Sequence, residues 1–127
     1  FIQALADEEI DYLHVSINNF LAGSMRDATD TRGRIQLIQD AVGNRVPVIG
    51  VGGLQTVEQV EKALEIVPLV SLGHALIMDP EWYEKATTGQ EKTIFRALYR
   101  SKKTELDIPK PLWDMVTNAP GWFKVEE

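Results

Sequence analysis

The sequence predicts an α/β fold with a parallel sheet, the C-terminal half of a (β/α)8 TIM barrel, with a C-terminal helix and an aromatic tail. Three observations predict it. Short runs rich in β-formers recur at 11–17, 46–51 and 69–72, each is followed by a segment with helical apolar spacing, and two of the runs close on glycine. Alternating strands and helices pack as a parallel sheet joined by right-handed crossovers. A whole barrel takes about 250 residues, so this chain supplies roughly half of one. An isolated half leaves sheet edges unpaired. The expected partner is therefore either a second copy or the missing N-terminal half.

The opening FIQALAD has the pattern of a helix interior, which predicts a natural start upstream of Phe1. Asp11 to Ile17 alternates polar and apolar residues as a strand does. A long polar loop follows from Asn18 to Asp30, and Asp30 or Thr31 is placed to cap a helix carrying Ile35, Ile38, Ala41 and Val42, with Gly43 as its stop. Val46 to Val51 is an apolar run with a proline near its start, as suits a strand buried on both faces. Thr56 and Gln59 have capping-box spacing ahead of Val57, Val60, Ala63, Leu64 and Val67. Leu69 to Leu72 makes a third strand closed by Gly73, and His74 to Met78 a turn or short helix. Asp79 is expected to cap a helix with Pro80 at its first position, ended by Gly89. Ile94, Ala97 and Leu98 suggest a further helix. Residues 1–105 are expected to form the partial barrel. Residues 106–127, with three prolines, Trp113 and Trp122, are expected to form an extended tail that packs on the barrel or a partner by its aromatics.

Composition excludes several function classes. With 44% hydrophobic and 25% charged residues the chain is globular. No apolar stretch approaches the roughly 20 residues that cross a bilayer. A net charge of −6 without a basic stripe argues against nucleic acid, whose binding needs clustered Lys and Arg. Absence of cysteine removes thiolate metal sites and cysteine nucleophiles, and suits a cytoplasmic setting. A doubly wound dinucleotide fold would show a G-x-G-x-x-G turn after a strand, and no such turn is present.

The glycines are the candidate site. In a parallel sheet every strand points the same way, so IGVGGL and SLGHAL end on one rim. Glycine lets a backbone approach a ligand closely, and exposed amides at a helix start favour an anion. Spacing alone leaves tight-turn glycines and a phosphate cradle about equally open. Phe20, Met25 and Arg26 in the long loop are placed to line an entrance, or the loop is a plain surface loop with one buried aromatic.

The run VPVIGVGGLQTVEQVEKAL, then VSLGHALIMDPEWYEKA, resembles the last two strand–helix units of the Old Yellow Enzyme family, and DYLHVS resembles its sixth strand. The resemblance spans roughly residues 1–87. It implies an FMN-dependent oxidoreductase that takes hydride from NADH or NADPH and passes it to a small acceptor such as an activated alkene. It also implies that Gly52, Gly53, Gly73 and His74 hold the FMN phosphate. Here the chain departs from the family, which usually has Arg where this chain has His74. An arginine grips phosphate through a fixed fork, whereas a histidine's charge depends on pH. The family's catalytic side chains lie on earlier strands, so no catalytic residue and no metal ligand is assigned, and this length alone is expected to be inactive. The alternatives are a non-catalytic half barrel that binds phosphate weakly, or another FMN- or phosphate-binding barrel.

Overall fold

The computed structural model describes residues 1–23 and 29–127. Met25 and Arg26, expected at an entrance, lie outside the described residues. The chain divides into two compact units, Phe1–Leu72 and Gly73–Glu127.

The first unit is α/β with parallel strands. Its elements run α1 (Ile2–Ala6), β1 (Leu13–Ser16), α2 (Arg34–Val42), β2 (Val48–Val51), α3 (Val57–Leu64) and β3 (Leu69–Val70). The sheet order is β1-β2-β3, with Leu13 beside Val48, Val15 beside Gly50, and Gly50 beside Val70. Partners in a ladder point to the same face. One face therefore carries Leu13, Val15, Val48 and Val70, which pack with Ile35 and Val42 of α2 and Ala63 of α3 into one core. The opposite face carries exposed His14 and Ser16, half-buried Ile49 and Val51, and Leu69. The expected strand buried on both faces is thus buried on one, because the helices of this unit cover a single side.

Local chemistry explains the helix ends. At α3 the Thr56 hydroxyl accepts from the Gln59 amide at 3.2 Å, while Gln59 Oε1 accepts from the amides of Thr56 at 3.1 Å and Gln55 at 2.9 Å. This is the capping box that the spacing predicts. Thr56→Ala should cost about 1 kcal/mol, read as a lower urea midpoint with unchanged slope. At α2 the expected cap does not form. The helix starts after Gly33 with no side-chain cap. Asp30 instead accepts from the Arg32 amide at 3.0 Å and from its guanidinium at 2.8 Å and 3.1 Å, and these bonds hold the Asp30 carboxyl below the ordinary aspartate range. A charge-assisted fork outbids a neutral cap. Gly43 ends α2 with φ +60°.

The second unit contains α4 (His74–Met78), α5 (Trp82–Thr87), a 3-10 turn (Glu91–Thr93), β4 (Leu98–Tyr99), a second 3-10 turn (Arg100–Lys102), α6 (Lys110–Asn118) and β5 (Val125–Glu126). Its core gathers Met78, Leu98, Leu106, Trp113, Val116 and Phe123. Two expectations are corrected here. Residues 94–98 form no helix: Leu98 donates to Lys124 O at 2.8 Å, and β4 pairs in parallel with β5, so long-range pairing overrides the local apolar spacing. The segment after Leu106 is not simply extended. Its prolines open α6, with Pro109 as the cap and Pro111 in the first turn, where a missing amide costs little. Among the described residues no helix is long and apolar enough to cross a membrane.

Candidate functional site

The β2 end is built around missing side chains. The last β2 residue is Val51, and the chain turns at Gly52 and Gly53 before Thr56 caps α3. A Cβ on Gly52 would lie 2.6 Å from Ile17 O and 2.7 Å from the Phe20 amide nitrogen. That amide donates to Gly52 O at 2.8 Å, so the two backbones are tied together. A Cβ on Gly50 would run into the Phe20 ring, which is 1% exposed. Gly50 and Gly52 are therefore glycine to let the β1–α2 loop lie on β2, and Phe20 is a core residue of that packing. Gly53 is different. It is exposed and has φ +64°, a conformation costly for residues with a Cβ.

At the start of the second unit Gly73 needs no glycine for internal reasons. Its φ of −101° suits any residue, and a Cβ there would meet nothing within 4 Å. His74, the first residue of α4, is half-buried. Its ring centroid lies 4.3 Å from that of Phe123 and 6.3 Å from that of Trp122, the latter edge-on at 70°. Phe123 is buried, while Trp122 is 42% exposed.

Gln55 and Thr56 donate to Gln59, but among the described residues no acceptor takes the amides of Gly53, Leu54, Gly73 or His74. Such donors suit an anion. Among the described residues no group of three or more His, Cys, Asp or Glu is placed to hold a metal.

The expected site residues thus fall into two pairs, Gly52 with Gly53 in the first unit and Gly73 with His74 in the second. The aromatic neighbours of His74 were missed in the sequence reading. Trp122 and Phe123 stood out only as tail aromatics, and nothing local links them to a residue almost fifty positions earlier. Asp79 also differs from its expected role. It accepts from the Glu81 amide at 3.1 Å, but α5 begins at Trp82, and the carboxylate mainly serves Lys85, at 2.8 Å and 3.1 Å, and the Phe95 amide at 2.9 Å.

No family model matches the chain. Over 127 residues, 99% of its length, it is 36% identical to the "Probable NADH-dependent flavin oxidoreductase YqiG" of Bacillus subtilis (strain 168), and covers 34% of that protein. It is 32% identical over 116 residues to the NADH:fumarate oxidoreductase of Klebsiella pneumoniae (strain 342), a match that takes in 88% of the chain and 12% of the relative. It is 31% identical over 119 residues to the NADH:acrylate oxidoreductase of Vibrio harveyi, covering 91% of the chain and 12% of that relative. The chain spans about a third or less of these relatives.

Proposed function

Since the chain belongs by homology to the NADH-dependent flavin oxidoreductases, we propose that it is the flavin-phosphate end of such an enzyme, contributing the last three strand–helix units of an Old Yellow Enzyme-like (β/α)8 barrel. Bound FMN would accept hydride from NADH and deliver it to a small acceptor such as an activated alkene; that chemistry is the cofactor's. The residues of this chain bind and orient. In the second unit Gly73 would offer a backbone amide and His74 an imidazole N–H to the phosphate; in the first unit Gly53 leaves its own amide open while Gly52 holds the strand-end turn in shape through its bond from Phe20. The observation that carries this reading is the unengaged amides at both glycine turns, with open space where a Cβ on Gly73 would stand. No proton transfer is assigned to a side chain of this chain, and acting alone it would bind without turning over substrate.

Titration of FMN by fluorescence quenching tests the reading. The wild-type chain, alone or within its whole enzyme, should bind FMN. Gly73→Val keeps the amide but fills the open space in front of it, and holding the phosphate off one charge-assisted hydrogen bond of about 1.5–3 kcal/mol should weaken binding about tenfold or more while the thermal midpoint stays in place. His74→Arg should tighten binding, because a guanidinium brings a fixed fork of donors to the phosphate. A chain that binds no FMN, or a Gly73→Val variant that binds as wild type does, would refute the assignment.

A further inference from the structure

We propose that Phe123, backed by Trp122, positions His74 for its anion, so that the C-terminal segment of the chain sets the affinity of the phosphate donor. The inference rests on the reading of His74 as a phosphate ligand. An imidazole at the start of a short helix is free to sample rotamers, and a ligand that captures it must freeze that motion. Here the ring is held beforehand. Phe123 is buried in the core of the second unit, its ring centroid lies 4.3 Å from that of His74 at a tilt of 46°, and Trp122 meets the same imidazole edge-on. The two aromatics also brace each other, with centroids 5.4 Å apart at 60°. The hold is made by ring contact alone. Among the described residues of the second unit neither imidazole nitrogen has a hydrogen-bond partner, so the aromatics orient the ring without consuming the donors an anion needs. An arginine at this position would bring its own rigid fork. An imidazole has no such fork, and its aim is here supplied by residues of the opposite end of the chain.

The test is a double-mutant cycle read by titration with inorganic phosphate and with FMN. Phe123→Leu and Trp122→Leu should each weaken both ligands about threefold to tenfold, the range expected for losing an aromatic pair. Phe123→Tyr should restore wild-type binding. In a His74→Ala background the same leucine substitutions should change affinity by less than about twofold, because nothing is left to orient. Trp122 is the safer probe of the two, being partly exposed, and far-UV circular dichroism checks that each variant is folded. In the ligand-free chain the His74 ring protons should show ring-current shifts that Phe123→Leu reduces. Equal losses with and without His74, or no loss at all, would overturn the positioning role. A wild-type chain that binds phosphate but not FMN would leave the positioning role standing and remove the flavin reading, whereas a wild-type chain that binds neither removes both.

Discussion

Asp79→Ala is expected to destabilise the second unit by about 3–5 kcal/mol, the cost of breaking a buried pair so that Lys85 keeps only the exposed Glu81 and two backbone amides lose their acceptor. The Asp79 side chain is 1% exposed and that of Lys85 is 14% exposed. Burial disfavours the Lys85 charge, yet its hydrogen bonds to Asp79 and Glu81 outweigh that penalty and hold the ammonium above the ordinary lysine pKa. A raised lysine pKa contributes stability that is present below the unfolded value and lost as pH rises through the folded one, so this share persists at neutral pH and fails only in alkali. Two further ties make Asp79 hard to replace, and a third contact holds its partner. Asp79 accepts from the amides of Glu81 and Phe95, and the Lys85 ammonium sits 4.7 Å from the Phe95 ring centroid. Replacing a buried pair by apolar residues is often neutral, but here Asp79→Leu with Lys85→Met would still orphan two backbone donors and should recover only part of the loss. A unit this small holds only a few kcal/mol, at roughly 0.05–0.15 kcal/mol per residue, so Asp79→Ala should leave it largely unfolded. All three tryptophans, Trp82, Trp113 and Trp122, belong to this unit. Their emission therefore reports its unfolding, and an unchanged urea midpoint would contradict the assignment. The exposed Lys62–Glu58 pair is a useful control, because a solvated pair contributes little and its loss should leave the midpoint in place.

Gly52→Ala should cost the first unit about 3 kcal/mol or more, at or above the upper end of ordinary overpacking. The added carbon would meet backbone on two sides, Ile17 O at 2.6 Å and the Phe20 nitrogen at 2.7 Å, where no side chain can swing aside. Relief requires moving the loop, and that breaks the Phe20 amide bond to Gly52 O and lifts a fully buried ring. Amide hydrogen exchange across β1 and β2 measures the effect directly, because protection there reports the sheet itself. Gly73→Ala is the contrasting substitution, with nothing within 4 Å of the new carbon, and protection in the second unit should be unaltered. Similar losses at both glycines would mean that the strand-end geometry has been misread.

How legible these features were in the sequence depends on the range of the interactions that make them. The capping box at Thr56 and Gln59 was readable because donor and acceptor sit three residues apart. So were the glycine stop of α2 and the three strands of the sheet, whose alternation or apolar runs follow from chain geometry alone. The cap at Asp30 failed because Arg32 competes for the same carboxylate, a choice that propensity does not encode. The helix expected near Ile94 failed because Leu98 pairs with a strand almost thirty residues away.

By itself, then, the sequence determined the order of strands and helices in the first unit, the positions of the glycine turns, and the resemblance that led to the flavin oxidoreductases. Only the tertiary structure separated the roles of those glycines. Gly52 lacks a side chain because its own chain occupies the space, while Gly73 lacks one with the space left open. It likewise placed Phe123 against His74 and Lys85 against Asp79. Spacing and propensity are local quantities, whereas excluded volume, ring contact and the pairing of buried charges arise only when distant segments are brought together.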